Sequence, residues 1–246
     1  VQGDTNGNRR PGTVRYIYDN NGLYAAASFQ VAQDEVKVLD QKINVESGFS
    51  LGLGYTFDNV VFGPLSVKAA YDYVRAQDDD TVNFYERDND DRVIETVPVL
   101  DFKNTAVSLA WGSDTGLYFA ALYNVYKVNY DDFTDSEGDD YSNARTKVKG
   151  LELVAGYGFD NGLSLTIGYD VKDSKFKSAG YTSSSSIQRR VPVIANYQIA
   201  PTFKVWVEAE FDANSSDDCN FYDKYDNTGD HNAKDTLVAA GARYVF

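Results

Sequence analysis

The sequence predicts an all-β protein, a transmembrane antiparallel up-and-down β-barrel, and three observations support that fold class. Apolar and polar residues alternate along most of the 246-residue chain, which is the pattern of strands with one apolar face. Short turns with Asp or Asn next to Gly alternate with long polar segments, as they do in outer-membrane barrels. Aromatic residues stand where strands reach the short turns, a position that suits a membrane–water interface. No run of about 18 apolar residues occurs, which excludes a helical membrane protein.

Eleven strands are predicted, most of them about 10–13 residues long with their flanks, the length that a tilted strand needs to cross a bilayer. In one of them Leu165 and Ile167 fall on one face, and Ser164 and Thr166 on the other. The predicted strands cover residues 14–18, 23–31, 49–55, 65–73, 105–111, 117–125, 151–157, 163–171, 191–197, 203–211 and 238–246.

The connections between these strands are of two kinds. Residues 16–23 and 157–163 repeat one short motif with an Asn-Gly pair, which supplies the positive φ that tight hairpins need. A soluble β-sandwich is the alternative to a membrane barrel, but in a sandwich a second sheet has to cover the apolar face. Long polar loops are predicted near residues 32–46, 78–100, 130–145, 173–187 and 214–234, and the aromatic residues beside the short turns are Tyr18, Tyr55, Trp111, Tyr157, Tyr197 and Phe246.

The face opposite the apolar one carries nearly all the charge of the predicted strands. A charge on the lipid side of a membrane strand costs about 2–4 kcal/mol at mid-membrane, so these residues are expected to line a wet lumen. The numbers of basic and acidic residues on this face are nearly equal. These residues would either influence which solutes pass or form structural ion pairs with no effect on transport. They are Arg15, Gln30, Lys68, Asp72, Asn104, Asn124, Glu152, Asp170, Lys172, Arg190, Lys204, Glu208, Glu210 and Arg243.

The excess negative charge lies in the predicted loops. The net charge is -14, and a strongly acidic surface repels nucleic acid. An acidic entrance raises the local concentration of cations, so we expect a mild cation preference. The alternatives are loops that are acidic only for solubility, or acidic loops that share divalent cations with lipopolysaccharide. No cofactor or metal site is predicted, and no enzyme, because the lone His231 has no evident Ser or Asp partner.

The end of the chain resembles the closing strand of outer-membrane proteins. Phe246 is terminal, and Tyr244, Ala242, Ala240 and Val238 precede it at alternate positions, which is similar to the signal that the assembly machinery of those proteins reads. Residues 22–30 and the Asn-Gly turns resemble the trimeric general porins of Gram-negative bacteria, most closely the acidic vibrio-type members. The resemblance implies a homotrimer in the outer membrane, in contact with lipid and lipopolysaccharide, that passes ions and small hydrophilic solutes without a cofactor.

The resemblance also implies sixteen strands in the complete chain, of which this sequence holds the last eleven in a single β-barrel domain over residues 1–246. Residues 1–12 would be the end of the loop that constricts the pore of those porins, and Arg9 or Arg10 its arginine facing the acidic loop. Strand parity favours Arg9, whereas alignment with the family favours Arg10. A twelve-stranded barrel with a strand hidden in residues 1–12 is the alternative.

Two other functions stay open at this stage. A substrate-specific channel for sugars would need a track of aromatic side chains that face the lumen. The alternation places Tyr24, Tyr118, Tyr126 and Trp206 on the face predicted to line the lumen. A barrel that acts as an adhesin or phage receptor would use Tyr-rich acidic loops such as residues 221–225.

Overall fold

Strands make up most of the computed structural model, which describes residues 12–38, 41–78, 80–86, 89–113, 115–135, 138–179, 185–214 and 236–245. No helix within these ranges has the length and hydrophobicity to span a bilayer. The strands are β1 (Thr13–Asn20), β2 (Leu23–Gln30), β3 (Gln33–Val38), β4 (Gln41–Val60), β5 (Gly63–Ala76), β6 (Thr81–Glu86), β7 (Asn89–Gly112), β8 (Gly116–Tyr130), β9 (Phe133–Thr134), β10 (Asp140–Gly158), β11 (Leu163–Ala179), β12 (Ser185–Ala200), β13 (Phe203–Asp212) and β14 (Thr236–Tyr244).

Eleven of these strands form one antiparallel path through the sheet, in the order β1-β2-β4-β5-β7-β8-β10-β11-β12-β13-β14. They are the eleven strands that the alternation predicts, and each pairs with the next along the path. The short strands β3, β6 and β9 pair only with β4, β7 and β10 respectively and were not predicted. Each lies within a segment that the sequence assigned to a long polar loop.

The strands run further than predicted, so the long loops are shorter than expected. Strand β7 has 24 residues, β4 has 20 and β10 has 19, whereas about 9–11 residues cross a bilayer. Much of the predicted loops near residues 32–46, 78–100, 130–145 and 173–187 is therefore strand, because antiparallel pairing continues beyond the membrane. Most of the predicted loop near residues 214–234 lies outside the described residues.

Positive φ angles close the short turns, as predicted for the Asn-Gly pairs. Asn21 has φ 52°, Gly22 has φ 77° and Gly162 has φ 85°. The turns also bond to the neighbouring strand: the amide of Thr56 donates to the Gly22 carbonyl (2.8 Å), and that of Gln198 to the Gly162 carbonyl (2.9 Å). These turns fix the register of the hairpins that they close.

The turn between β4 and β5 instead puts a β-branched residue in the left-handed region. Val61 has φ 58° and its side chain is 88% exposed, so no packing compensates for the strain. A left-handed conformation costs an ordinary L-residue about 1–2 kcal/mol, and Asn tolerates it better. We expect Val61→Asn to raise the free energy of unfolding by about 1 kcal/mol, measured by urea titration in lipid vesicles. Val60→Asn, one residue earlier in the strand, should give no increase.

One face of the sheet, called outward below, is an apolar belt that the described residues leave uncovered. Its side chains are largely exposed; Leu53 is 61% exposed and Ile167 52%. An apolar patch this extensive on a single sheet face marks an interaction surface, here lipid, rather than a soluble monomer. The belt includes Val14, Tyr16, Tyr18, Phe29, Phe49, Leu51, Leu53, Tyr55, Val107, Leu109, Leu117, Phe119, Tyr123, Leu153, Tyr157, Leu165, Ile167, Tyr169, Val193, Tyr197, Val207 and Val238.

Polarity inverts where the strands extend beyond this belt, and the sequence analysis missed this inversion. On β8, Tyr126, Val128 and Tyr130 point inward and are buried, whereas Lys127 points outward and is exposed. The outward face carries almost no charge along the predicted strands, as expected, but it is charged where the strands extend beyond them, at the end of the sheet away from the short turns. The inward side chains there form an inner apolar cluster of Ile43, Val45, Ala76, Val82, Val97, Val99, Phe102, Tyr126, Val128, Tyr130 and Ala144.

Candidate functional site

The inward face of the sheet carries the predicted charged residues that the structure describes. The register shows this directly: Glu152 lies opposite Asp170 and Asp170 opposite Arg190, while the intervening apolar residues pair with one another on the other face. Arg9, Arg10 and Phe246 lie outside the described residues. Those on the inward face are Arg15, Lys68, Asp72, Glu152, Asp170, Lys172, Arg190, Lys204, Glu208, Glu210 and Arg243.

An acidic patch, defined as Glu152, Asp170, Glu210 and Asp212 around Arg190, occupies β10 to β13. Glu152, Asp170, Arg190 and Asp212 stand directly across from one another on four adjacent strands. The guanidinium of Arg190 forms an ion pair with Glu210, and the two side chains are 21% and 28% exposed. Asp170 also interacts electrostatically with Glu152, Glu210 and Arg190. Four carboxylates around one guanidinium leave this part of the wall negative, which attracts cations.

A basic group lies at the other side of the sheet, over an aromatic ring. Tyr24, Gly54 and Lys68 form one cross-strand row on β2, β4 and β5. Because Gly54 has no side chain, the Lys68 stem crosses it, with Cγ 2.5 Å from the place of a Cβ. The ammonium then lies 4.8 Å from the centre of the Tyr24 ring, a cation–π distance.

A second basic group lies at the short-turn end of β13 and β14. Lys204 is directly opposite Arg243, and Trp206 opposite Gly241. The Trp206 ring occupies the space that a Cβ at Gly241 would need, and the Lys204 ammonium lies 5.9 Å from its centre. A glycine at this position is therefore what lets the indole lie flat along the wall.

A further set of polar side chains lines the inward face between β1 and β7. Arg15, Ser28, Ser50, Asp72 and Asn104 form one row across β1, β2, β4, β5 and β7. The hydroxyls of Ser28 and Ser50 are hydrogen bonded at 2.8 Å. Of the remaining predicted residues, Lys172 stands between Gly150 and Gln188, and Glu208 between Ile194 and Ala239.

The charges are unevenly distributed on the wall. Lys68 and Lys204 lie over the aromatic rings of Tyr24 and Trp206, whereas carboxylates concentrate on β10 to β13, where the basic Lys172 and Arg190 stand among them. Within the described ranges, no group of three His, Cys, Asp or Glu residues is arranged to hold a metal ion. Such a wall can attract and orient charged solutes.

The four inward aromatic residues that would form a sugar track stand in separate surroundings. Tyr24 lies under Lys68 and Trp206 under Lys204. Tyr118 is between Gly112 and Gly156 near the short turns. Tyr126 is buried in the inner apolar cluster, where its ring is 6.3 Å from that of Phe102. The predicted assembly residue Tyr244 lies opposite Phe203, with ring centres 6.5 Å apart.

The inner apolar cluster is the part of this face that sequence reasoning missed. Its signal was present in the sequence, because Tyr126, Val128 and Tyr130 alternate with Lys127 and Asn129. This alternation has the same period as the belt but the opposite phase. A test for a change of phase along each strand would have found it.

Comparison with known proteins returns porins. No protein-family model matches the chain. Outer membrane porin F of Salmonella typhimurium LT2 is 26% identical over 229 residues, which cover 92% of this chain and 54% of the porin. Porin F of Salmonella typhi is 26% identical over 228 residues, with the same coverage. The chain spans about half the length of these curated relatives.

The solved structures that resemble the fold of this chain are also porins. The structure of Salmonella typhi OmpF in complex with daunomycin matches 94% of this chain and 61% of that chain, with a TM-score of 0.60 and 23% identity. A second refined porin structure matches 94% of this chain and 60% of its own, with a TM-score of 0.55 and 12% identity. The predicted fold class is confirmed, and the chain is similar to outer-membrane porins over most of its length.

Proposed function

We propose that the complete protein, as a distant homologue of the porins, forms a water-filled channel in the bacterial outer membrane through which ions and small hydrophilic solutes diffuse passively. One observation carries this proposal: the same strands present an uncovered apolar belt outward and, inward, the eleven predicted charged residues together with Asp212. In lipid, a face with so many charges has to face water. The channel needs no cofactor, because concentration gradients drive the flow.

Closure of the channel requires strands beyond those on the path. In the described part of the chain, β1 pairs only with β2, and β14 only with β13. An unpaired sheet edge is untenable in lipid, because each free backbone group there costs several kcal/mol. We propose that further strands join β14 to β1 in a sixteen-stranded barrel, for which the greater length of the relatives leaves room. The constriction role of residues 1–12, with Arg9 or Arg10, stays a prediction.

The channel prefers cations mildly in this proposal, because the acidic patch and the acidic segments near residues 78–100 and 130–144 lower the potential along the path. Trimeric assembly and the closer likeness to vibrio-type members are part of the same proposal. A sugar-specific channel is the second candidate, supported by the rings of Tyr24 and Trp206 on the wall.

Single-channel recording of the full-length protein in a planar bilayer under a KCl gradient tests the proposal. We expect stepwise openings, closures in threes, and a reversal potential that favours K⁺. Folded, inserted protein without conductance would show that the lumen is filled and would contradict a channel. A current that a linear oligosaccharide blocks would favour the sugar channel over the general one.

A further inference from the structure

Two basic residues stand side by side on the inward face at the short-turn end of the last two strands. Lys204 on β13 and Arg243 on β14 are directly opposite each other, and like charges in this position destabilise a sheet. Within the described ranges neither has an ion pair with a carboxylate. On β12, Gln198 faces Lys204, but its amide donates to the carbonyls of Ala200 and Phe203. The described residues therefore leave two positive charges without a partner at one point of the wall.

An aromatic ring lies directly beside these two charges. Trp206 is the inward position of β13 that follows Lys204, and its ring atoms Cε2, Cζ2 and Cη2 occupy the space above Gly241. One face of the indole therefore rests on backbone, while the residue as a whole is only partly buried. The Lys204 ammonium is 5.9 Å from the ring centre, which is the outer limit of a cation–π contact. This contact holds the ammonium weakly, so it can turn to an anion that arrives at the ring.

The other ring–lysine group on the inward face differs in both respects. The Lys68 ammonium is closer to its ring, 4.8 Å from the centre of Tyr24. Its cross-strand neighbours are Gly54 and Ser108, neither of which is basic. A single lysine close to a ring has a partner within the protein, whereas the pair beside Trp206 needs an anion from outside.

A carboxylate on the far side of the indole gives this part of the wall a direction. Glu208 is the inward position that follows Trp206, about 13 Å along the strand from Lys204. Among the residues that the structure describes it forms no ion pair, and its cross-strand neighbours are the apolar Ile194 and Ala239. An anion near the ring is repelled by Glu208 and attracted by the two basic residues. Its charged end therefore points toward the short turns.

We propose that Lys204, Arg243 and Trp206 form a subsite for small aromatic anions, which carry a planar ring and a carboxylate or phosphate group. A guanidinium matches the geometry of such groups with two parallel donors, and the ammonium adds three more. The ring of the solute stacks on the open face of the indole with the offset that aromatic pairs prefer. The subsite rests on the water-filled lumen of the proposed function, because solutes have to reach the inward face, but it does not require ion conduction.

The test measures binding of phenylacetate to the full-length protein in non-ionic detergent at about 10 mM salt, where screening is weak, by ligand-observed NMR titration. Acetate lacks the ring and phenylacetamide lacks the charge, so both should bind about fivefold or more weakly. Trp206→Leu should weaken the binding of phenylacetate about fivefold, because it removes the stacking of two aromatic rings. Lys204→Gln/Arg243→Gln should weaken it about tenfold, because two exposed ion pairs are lost.

Three further variants separate the charges of the subsite from charges elsewhere on the inward face. Lys204→Arg/Arg243→Lys retains both charges and should keep most of the affinity. Lys68→Gln/Lys172→Gln removes two inward charges from other strands and should leave the affinity unchanged. Glu208→Gln should strengthen binding about twofold, since one charge about 10 Å away contributes that much in water. Damage to the fold could not produce such a gain in affinity.

Indole fluorescence gives the location of the bound probe. Trp111 is on the outward face, where its N–H donates to the Val60 carbonyl at 2.7 Å and its ring stacks on Phe62. Phenylacetate should change the emission of wild type and of Trp111→Phe by the same amount, and the change should disappear in Trp206→Phe. A change that persists without Trp206 would place the probe elsewhere and overturn the proposal.

Three binding results would also overturn it. They are acetate or phenylacetamide binding as tightly as phenylacetate, undiminished binding by Lys204→Gln/Arg243→Gln, and weaker binding by Glu208→Gln. Planar-bilayer recording keeps the subsite separate from the channel. Binding of the probe to a protein that conducts no ions would contradict the channel and leave the subsite standing, whereas conductance without binding would do the reverse.

Discussion

Replacement of Gly112 by alanine is expected to lower the free energy of unfolding by about 3–5 kcal/mol, from backbone strain and overpacking together. Gly112 ends β7 at φ 110°, a conformation that L-residues rarely adopt. A Cβ there would overlap the carbonyl oxygen of Leu117, and Gly63 of the neighbouring turn packs against the same backbone. Neither neighbour is a flexible side chain, so the clash cannot be relieved by a rotamer change.

The next glycine of the same turn provides a matched control. Gly116 also has a positive φ of 87°, but a Cβ there would meet open space. Gly116→Ala should therefore lose only the backbone term of about 1–2 kcal/mol. Urea unfolding in lipid vesicles, followed by tryptophan fluorescence, measures both variants. Equal decreases in the free energy of unfolding would show that the backbone conformation alone accounts for the effect at both positions and that the contact with Leu117 contributes nothing.

Neutralising half of the acidic patch should reduce cation selectivity about threefold. Glu152→Gln/Asp170→Asn leaves Glu210 and Asp212 beside Arg190. One charge about 10 Å from an ion in water contributes about 0.4 kcal/mol. Two charges therefore change the local level of K⁺ about fourfold and that of Cl⁻ about fourfold in the opposite direction, so their ratio changes about sixteenfold before screening. At 0.1 M salt the Debye length is about 10 Å, and screening reduces this change to about threefold. The shift in reversal potential should therefore shrink as KCl is raised.

Two outward carboxylates supply the control for this experiment. Asp101 and Asp173 pair with Lys103 and Lys175 on the other side of the sheet. Asp101→Asn/Asp173→Asn removes the same charge but should leave the reversal potential nearly unchanged. Arg190→Gln should shift the reversal potential toward K⁺, in the opposite direction to the shift that Glu152→Gln/Asp170→Asn causes. If Asp101→Asn/Asp173→Asn shifted the reversal potential as much as Glu152→Gln/Asp170→Asn, the acidic patch would not face the path of the ions.

The period of the sequence was sufficient to predict the strands that cross the membrane. An alternation of period two assigns each side chain to a face without any knowledge of its neighbours, and lipid on one side makes that alternation strong. All eleven strands of the path were found in this way, with the turns at Asn21, Gly22 and Gly162. The positive φ of these turns follows from local chemistry, which a sequence states directly.

The extensions beyond the membrane were missed for an equally physical reason. Outside the bilayer the outward face meets water or head groups, so it becomes polar, while inward residues such as Val128 and Phe102 pack against each other. In these segments polar residues face outward and apolar residues inward, the opposite of the membrane-crossing strands, and the segments were therefore interpreted as loops. The short strands β3, β6 and β9 depend on pairing with one neighbour, which the sequence of a single strand does not encode.

The sequence by itself determined which face each residue of the eleven predicted strands occupies, and therefore that charges meet water on one side and apolar groups meet lipid on the other. Only the tertiary structure decided which residues meet across strands. Glu152, Asp170, Arg190 and Asp212 stand on consecutive strands, each about 20 residues from the next in sequence, and become neighbours through the register. The register brings Lys103, Lys127, Lys147 and Lys175 together in the same way. Parity leaves that register undetermined, because a slip of two residues keeps every side chain on its face and changes every partner.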